Sequence, residues 1–236
     1  AEMTNELVEV LDYAKDDSSL RTIVLRGKGD IFCAGGDIKD FKNTMQNTDI
    51  NSVSLNNRSF GNVMTKLNEQ PQVVIILVEG AAIGGGLGLA CVSDITLVHQ
   101  ETKFRLSETS LGIPPAQIAP FVVQRIGITN ARYLMLTGAK FDGKKAFEIG
   151  LAHAVFQDSC QMEQRLADIL SEINECAKNA NAATKKILLK ALCSPMTETL
   201  DFASFEFANC MLGDEGREGV SAFLEKRKPF WVENDG

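Results

Sequence analysis

The chain has 236 residues, 44% hydrophobic and 23% charged, which is ordinary globular composition and enough length to bury one substantial core. A formal net charge of -7 and a pI of about 5.0 argue against nucleic acid or an anionic membrane as the principal partner. No apolar run reaches the roughly 18 residues of a membrane span, and Ala1-Glu2-Met3-Thr4 has no basic region leading into an apolar one, so a soluble, cytoplasmic protein is expected.

Leu7, Val8, Val10, Leu11 and Ala14 recur at helical spacing, and Thr22-Ile23-Val24-Leu25-Arg26-Gly27 then reads as a short strand ending in glycine. After a polar stretch from Asn43 to Asn57, an amphipathic helix carrying Phe60, Val63, Met64 and Leu67 stops before Pro71. Val73 to Val78 is apolar at every position, as expected of a strand covered on both faces. Short strands are expected at 94–98 and 103–106, separated by a turn through Gln100, Glu101 and Thr102. From about Ile118 the pattern is mainly helical, interrupted by an apolar edge strand from Leu151 to Phe156. Helices follow over 158–176 and 182–192, and Asp214 is placed to cap a last helix, 215–226, ahead of Pro229 and Trp231. Alternating strands and helices in the first two thirds point to an α/β arrangement. The six cysteines (Cys33, Cys91, Cys160, Cys176, Cys193, Cys210) form no C-x-x-C pair and there are only two histidines, so they read as reduced thiols rather than zinc ligands or a disulfide framework.

Three segments carry chemistry. In Phe32-Cys33-Ala34-Gly35-Gly36-Asp37-Ile38-Lys39-Asp40, small residues follow a strand and would let a ligand approach the backbone, with Asp37 placed to cap the next helix; a plain strand-to-helix turn would look the same. In Glu79-Gly80-Ala81-Ala82-Ile83-Gly84-Gly85-Gly86-Leu87-Gly88-Leu89-Ala90, glycines leave a buried strand and open an apolar helix. The first N–H groups of that helix lack internal partners and sit at its positive end, suited to an oxyanion, with Gly85 the donor. Close helix packing is the other reading of these glycines. Three consecutive glycines match neither a dinucleotide fingerprint nor a P-loop. In the third segment, Phe104 to Ala116, Glu108 is an acid/base candidate that could equally cap or pair at a loop.

In this order and separation the segments resemble the crotonase, or enoyl-CoA hydratase/isomerase, superfamily, and the resemblance runs from Leu7 to Trp231. It implies a ββα spiral core over residues 1–160 and a helical C-terminal trimerisation region over 161–236. It also implies that Gly36 and Gly85 donate the two N–H groups that hold a thioester oxygen, and that Glu108 is the catalytic glutamate. On the same resemblance Ala34, Asp37, Ile38, Lys39, Gly84, Gly88 and Pro115 are assigned to substrate binding, with Ala34 beside the CoA adenine and Lys39 approaching CoA. Best-known hydratases carry a second glutamate where this chain has Gly88. That position, with Ser107-Glu108, Ile113-Pro114-Pro115-Ala116, Ile118 to Val123 and Ile126-Gly127, is most similar to bacterial methylglutaconyl-CoA and isohexenylglutaconyl-CoA hydratases. Family members carry a further strand and turn before the helix at Leu7, which this chain is expected to lack.

The expected activity is hydration of a 2-enoyl-CoA in fatty acid metabolism. The alternatives are a Δ3-Δ2-enoyl-CoA isomerase using Glu108 alone and an acyl-CoA-binding protein with impaired catalysis. No cofactor is expected, because CoA arrives as part of the substrate; the expected partners are an acyl-CoA thioester and further copies of the chain, as a homotrimer or hexamer, with no nucleic acid and no membrane.

Overall fold

In a computed structural model the structure describes residues 2–37, 42, 44–46 and 49–233. Helix α1 (Glu2–Asp16) leads into strand β1 (Thr22–Arg26), and Leu11 and Ala14 are its buried positions. Helix α2 spans Ile50–Asn68, so the end of the polar stretch, from Ile50 to Asn57, is helical. The reason is local. The Asp49 carboxylate accepts from the N–H groups of Asn51 and Ser52, both at 3.1 Å, and satisfies donors that open the helix. Strand β2 (Val73–Val78) follows, and Val74 to Val78 are at most 1% exposed, as a strand covered on both faces must be.

Strand β3 (Ala81–Ile83), helix α3 (Gly85–Val92), strand β4 (Ile95–His99) and strand β5 (Lys103–Arg105) come next, then a 3-10 turn over Glu108–Leu111. Helix α4 (Ala119–Thr137) is broken at Gly127, whose φ of 73° leaves the helical region. Strand β6 (Lys140–Phe141), helix α5 (Gly143–Glu148, capped by Asp142) and strand β7 (Ala154–Phe156) complete the strands. Helices α6 (Ser159–Asn174), α7 (Lys178–Ala191), α8 (Met196–Leu212), α9 (Asp214–Glu225) and α10 (Phe230–Glu233) end the chain. Gly213, not Asp214, takes the cap position of α9. Asp214 is instead the first helical residue, where its charge meets the positive helix end.

One sheet has the order β1-β2-β4-β7 and the other β3-β5-β6. β2 and β4 run parallel, from Ile75↔Ile95 to Val78↔Val98, and β4 and β7 run parallel from Leu97↔Ala154 to His99↔Phe156. Parallel neighbours need crossovers, and those crossovers carry β3, α3 and the 3-10 turn. β7 is the expected edge strand, shortened at its start because the Leu151 and Ala152 N–H groups donate to the Ala146 carbonyl instead of a neighbouring strand. In the second sheet β3 is parallel to β5 and β5 antiparallel to β6, with Phe104 stacked on Phe141 at 5.1 Å between ring centroids.

The chain forms two compact units. Ala1–Leu11, Val24–Asn68 and Val74–Glu163 make the first, and Asp12–Ile23, Glu69–Val73 and Gln164–Gly236 the second. Unit one has a core of Ile75, Ile76, Leu77, Leu87, Leu97, Phe104 and Leu106. In unit two, the Arg21 guanidinium donates to the carbonyls of Cys176 and Trp231, the Trp231 indole donates to the Glu175 carbonyl, and buried Lys185 donates to the Gln72 carbonyl at 2.6 Å. All six cysteines are free; burial pushes the Cys91 thiol up to about 12. Among the described residues no helix is long and apolar enough to cross a membrane.

Candidate active site

The site lies within unit one and starts from the way β2 hands over to α3. Past β3 the chain must turn sharply into a helix. Gly84 makes that turn at φ 53°, a conformation side chains disfavour, and its N–H donates to the Arg105 carbonyl at 2.9 Å. Helix α3 then starts at Gly85. Its first N–H groups have no intrahelical acceptor and lie at the positive end of the helix dipole.

The segment from Phe32 reaches the same place from the other side. Phe32 and Cys33 donate to the carbonyls of Glu79 and Ala81, and Ile83 donates back to Cys33, so this stretch runs parallel to β3. Gly35, at φ 97°, lies against the Ile83 carbonyl, and a Cβ at Gly86 would meet the Cys33 side chain at 2.6 Å. The segment is thus held against β3 and the first turn of α3 through Cys33 and Gly35, with Gly36 next in the chain. Among the described residues, neither the Gly36 nor the Gly85 N–H donates a hydrogen bond to another backbone group. Ala34 precedes this turn, and Asp37 follows it, exposed; Ile38 and Lys39 lie outside the described residues, as do the positions directly after Asp37 where the helix it is expected to cap would begin.

Glu108 opens the 3-10 turn that follows β5. Thr109 ties that turn to α4 through its hydroxyl, which donates to the Met135 carbonyl at 2.8 Å, while Arg105 donates to the Gly138 carbonyl and to the Ser110 hydroxyl. The carboxylate points at the start of α3: Oε1 lies 2.6 Å from where a Cβ at Gly84 would sit. Oε2 is buried without a hydrogen-bond partner among the described residues. Burial raises the Glu108 pKa above the usual carboxylate value, opposed in part by the N–H groups of Glu108 and Ser107. A half-buried carboxyl with an unused oxygen and a raised pKa is suited to taking up and giving back a proton.

Neighbouring side chains fill the remaining space along the glycine face of α3. A Cβ at Gly85 would lie 3.0 Å from the Phe60 ring, and one at Gly88 would lie 2.4 Å from Ile118 Cγ2 and 3.1 Å from Met64 Cε. Gly84, the non-helical cap, lies one turn before Gly88, whose N–H donates to the Gly84 carbonyl at 3.0 Å. Glu108 meets the cap, and Ile118 and Met64 meet Gly88 a turn further in. Pro115 is buried in the turn ahead of α4, its carbonyl accepting from Ala119. The sequence pattern marks Phe60 and Met64 only as core positions of an amphipathic helix, and Ile118 only as the start of a helical stretch. Nothing in their spacing marks them as neighbours of α3.

Residues 1–234 match the family model for enoyl-CoA hydratase/isomerase. Among solved structures, the chain is similar to Pseudomonas aeruginosa AtuE, with 48% identity and a TM-score of 0.94, covering 98% of this chain and 89% of that one. It is also similar to an enoyl-CoA hydratase/isomerase from Marinobacter aquaeolei, with 42% identity, a TM-score of 0.93 and the same coverage. Among curated proteins, a probable enoyl-CoA hydratase of Bacillus subtilis (strain 168) is 28% identical over 225 residues, covering 95% of this chain and 86% of that protein.

Proposed function

The chain belongs to the enoyl-CoA hydratase/isomerase family of the crotonase superfamily, and from that premise we propose that it adds water to a 2-enoyl-CoA, with Glu108 as its one proton carrier. The observation that carries this reading is the buried, partnerless Oε2 of Glu108 beside the free end of α3. Glu108 takes a proton from water as the water oxygen bonds to the β-carbon. The electrons of the double bond shift onto the thioester oxygen, which the Gly36 and Gly85 N–H groups receive as an enolate. Glu108 then returns the proton to the α-carbon, so water is added and the enzyme is restored. Two fixed donors aimed at a developing oxyanion contribute about 10²–10³ in rate each.

No further cofactor is needed for these steps, since CoA enters with the substrate. Ala34, Asp37, Ile38, Lys39 and Pro115 are assigned to holding that substrate, Gly84 to admitting the carboxylate, and Gly88 to the acyl end. The exposed apolar residues Leu200, Phe207, Phe223 and Leu224 of unit two support self-association as a trimer or hexamer. Six free thiols support a reducing, cytoplasmic setting, in which acyl-CoA metabolism is the matching role.

A second reading, Δ3-Δ2 isomerisation, is favoured by one observation: among the described residues, the nearest neighbours facing Gly88 are the apolar side chains of Ile118 and Met64 rather than a second carboxylate. Here Glu108 removes an α-proton and returns it at the γ-carbon. Incubation with a 2-enoyl-CoA and a 3-enoyl-CoA, with products resolved by chromatography and followed by mass and by the absorbance of the conjugated thioester, separates the two. Gain of one water supports hydration, whereas an isobaric 2-enoyl product from the 3-enoyl thioester supports isomerisation.

A further inference from the structure

The glycine face of α3 bears no side chains, so its neighbours define what surrounds the acyl group. Phe60 and Met64 stand one turn apart on α2 and cover Gly85 and Gly88 respectively. Ile118, 3% exposed, reaches over Gly88 from the turn ahead of α4, with Cγ2 2.4 Å and Cβ 3.0 Å from the position of the missing Cβ. That overlap means position 88 and Ile118 compete for one volume: a side chain at 88 requires Ile118 to move aside or to be smaller. The volume lies one helical turn past Gly84, the cap residue that the Glu108 carboxylate approaches and whose carbonyl accepts from the Gly88 N–H.

We propose that Ile118 is a specificity-determining residue, which closes the volume over Gly88 with apolar surface and limits the size of substituents at the β-carbon of the acyl chain. This rests on the acyl-CoA reading above. A thioester whose oxygen is held at the start of α3 presents its α-carbon to Glu108, and its β-carbon extends along the face that Ile118 and Met64 cover. A hydrocarbon wall there repels polar substituents because it offers them no hydrogen-bond partner. It sets bulk tolerance through packing, where one methylene is worth about 10–200-fold in discrimination. The same overlap explains why Gly88→Glu alone is not expected to install a second working carboxylate.

The test is the ratio of kcat/KM for a 3-methyl-branched 2-enoyl-CoA over its unbranched counterpart, in the wild type, Ile118→Ala, Ile118→Val and a Leu67→Ala control. Leu67 is a fully buried residue of α2 that the α3 glycines do not meet. Ile118→Ala is expected to raise the ratio at least about tenfold, Ile118→Val to raise it less, and Leu67→Ala to leave it unchanged. Adding Gly88→Ala to Ile118→Ala refills the vacated volume and is expected to bring the ratio back towards wild type. Calorimetric affinities for butyryl-CoA and 3-methylbutyryl-CoA keep the outcomes separable. A shifted binding preference without turnover supports the role of Ile118 while the hydration reading falls. Turnover with an unmoved ratio in both Ile118 variants overturns the role of Ile118 while hydration stands. An equal shift in Leu67→Ala, or no binding of either thioester by the wild type, also overturns it.

Discussion

Helices α3 and α8 are both rich in small and apolar residues, and they treat that composition in opposite ways. In α3 and its cap Gly84 the glycines give up their side-chain space to Glu108, Phe60, Ile118 and Met64, and six of the eight helical residues are buried. In α8 the apolar groups stand out from the protomer: Leu200 is 61% exposed, Phe207 68% and Leu212 69%, and Thr199 is its buried residue. The first helix has its environment completed by its own unit and is left with backbone donors at its end. The second carries apolar side chains left exposed, which is the surface on which the self-association proposed above would rest. Apolar content thus says what a segment can bury, while the cover supplied by neighbours decides whether it becomes a site or an interface.

Changes in α3 should abolish chemistry, and those in α8 should spare it. The largest effect is expected for Gly85→Val, which drives a branched side chain towards the Phe60 ring and over the thioester position. Acyl-CoA binding and turnover should vanish together, and calorimetry with steady-state kinetics would expose the error if turnover survived. Glu108→Gln keeps size and removes the proton-transfer carboxylate. Turnover is expected to fall about 10²–10⁴-fold while the dissociation constant for an acyl-CoA stays near the wild-type value.

Stability separates the two regions further. Ile76→Ala empties a fully buried site in unit one and should cost about 2–5 kcal/mol in chemical denaturation. Leu200→Glu on the open face of α8 should change protomer stability by no more than about 0.5 kcal/mol yet lower the sedimenting mass. An unchanged mass would break the claim that this face is an interface.

The smallest effect concerns pH. Burial raises the Glu108 pKa, so the base form required for hydration predominates at a higher pH than for an ordinary carboxylate, and kcat/KM should rise with pH through the raised value. The stability sign is opposite. The group favours the folded state below its unfolded pKa, and that contribution is lost as pH rises through the raised folded pKa. Glu108→Gln should flatten this component in denaturation curves measured from acid to neutral pH.

Much of this was legible in the sequence because its signals are local. The buried strand at 73–78 announces itself by unbroken apolar residues, and the α3 start by glycines following it. β3 is hidden, because Ala81 to Ile83 sit among glycines and their pairing with β5 is a tertiary event. The early start of α2 depends on the Asp49 carboxylate serving two backbone donors, a contact that hydrophobic periodicity does not register. Asp214 misleads in the opposite sense, since its type suits a cap but Gly213 holds the position. Glu108 and the glycine turns could be singled out by resemblance, whereas the meeting of Ile118 with Gly88 joins residues 30 positions apart through packing alone. No spacing rule reaches that far.

The central claim is that Glu108 moves a proton between water and the thioester α-carbon, and turnover of a 2-enoyl-CoA in D₂O tests it most directly. The wild type is predicted to give a hydrated product with one carbon-bound deuterium at the α-position, formed far more slowly by Glu108→Gln. A labelled product formed by Glu108→Gln at the wild-type rate would contradict the account.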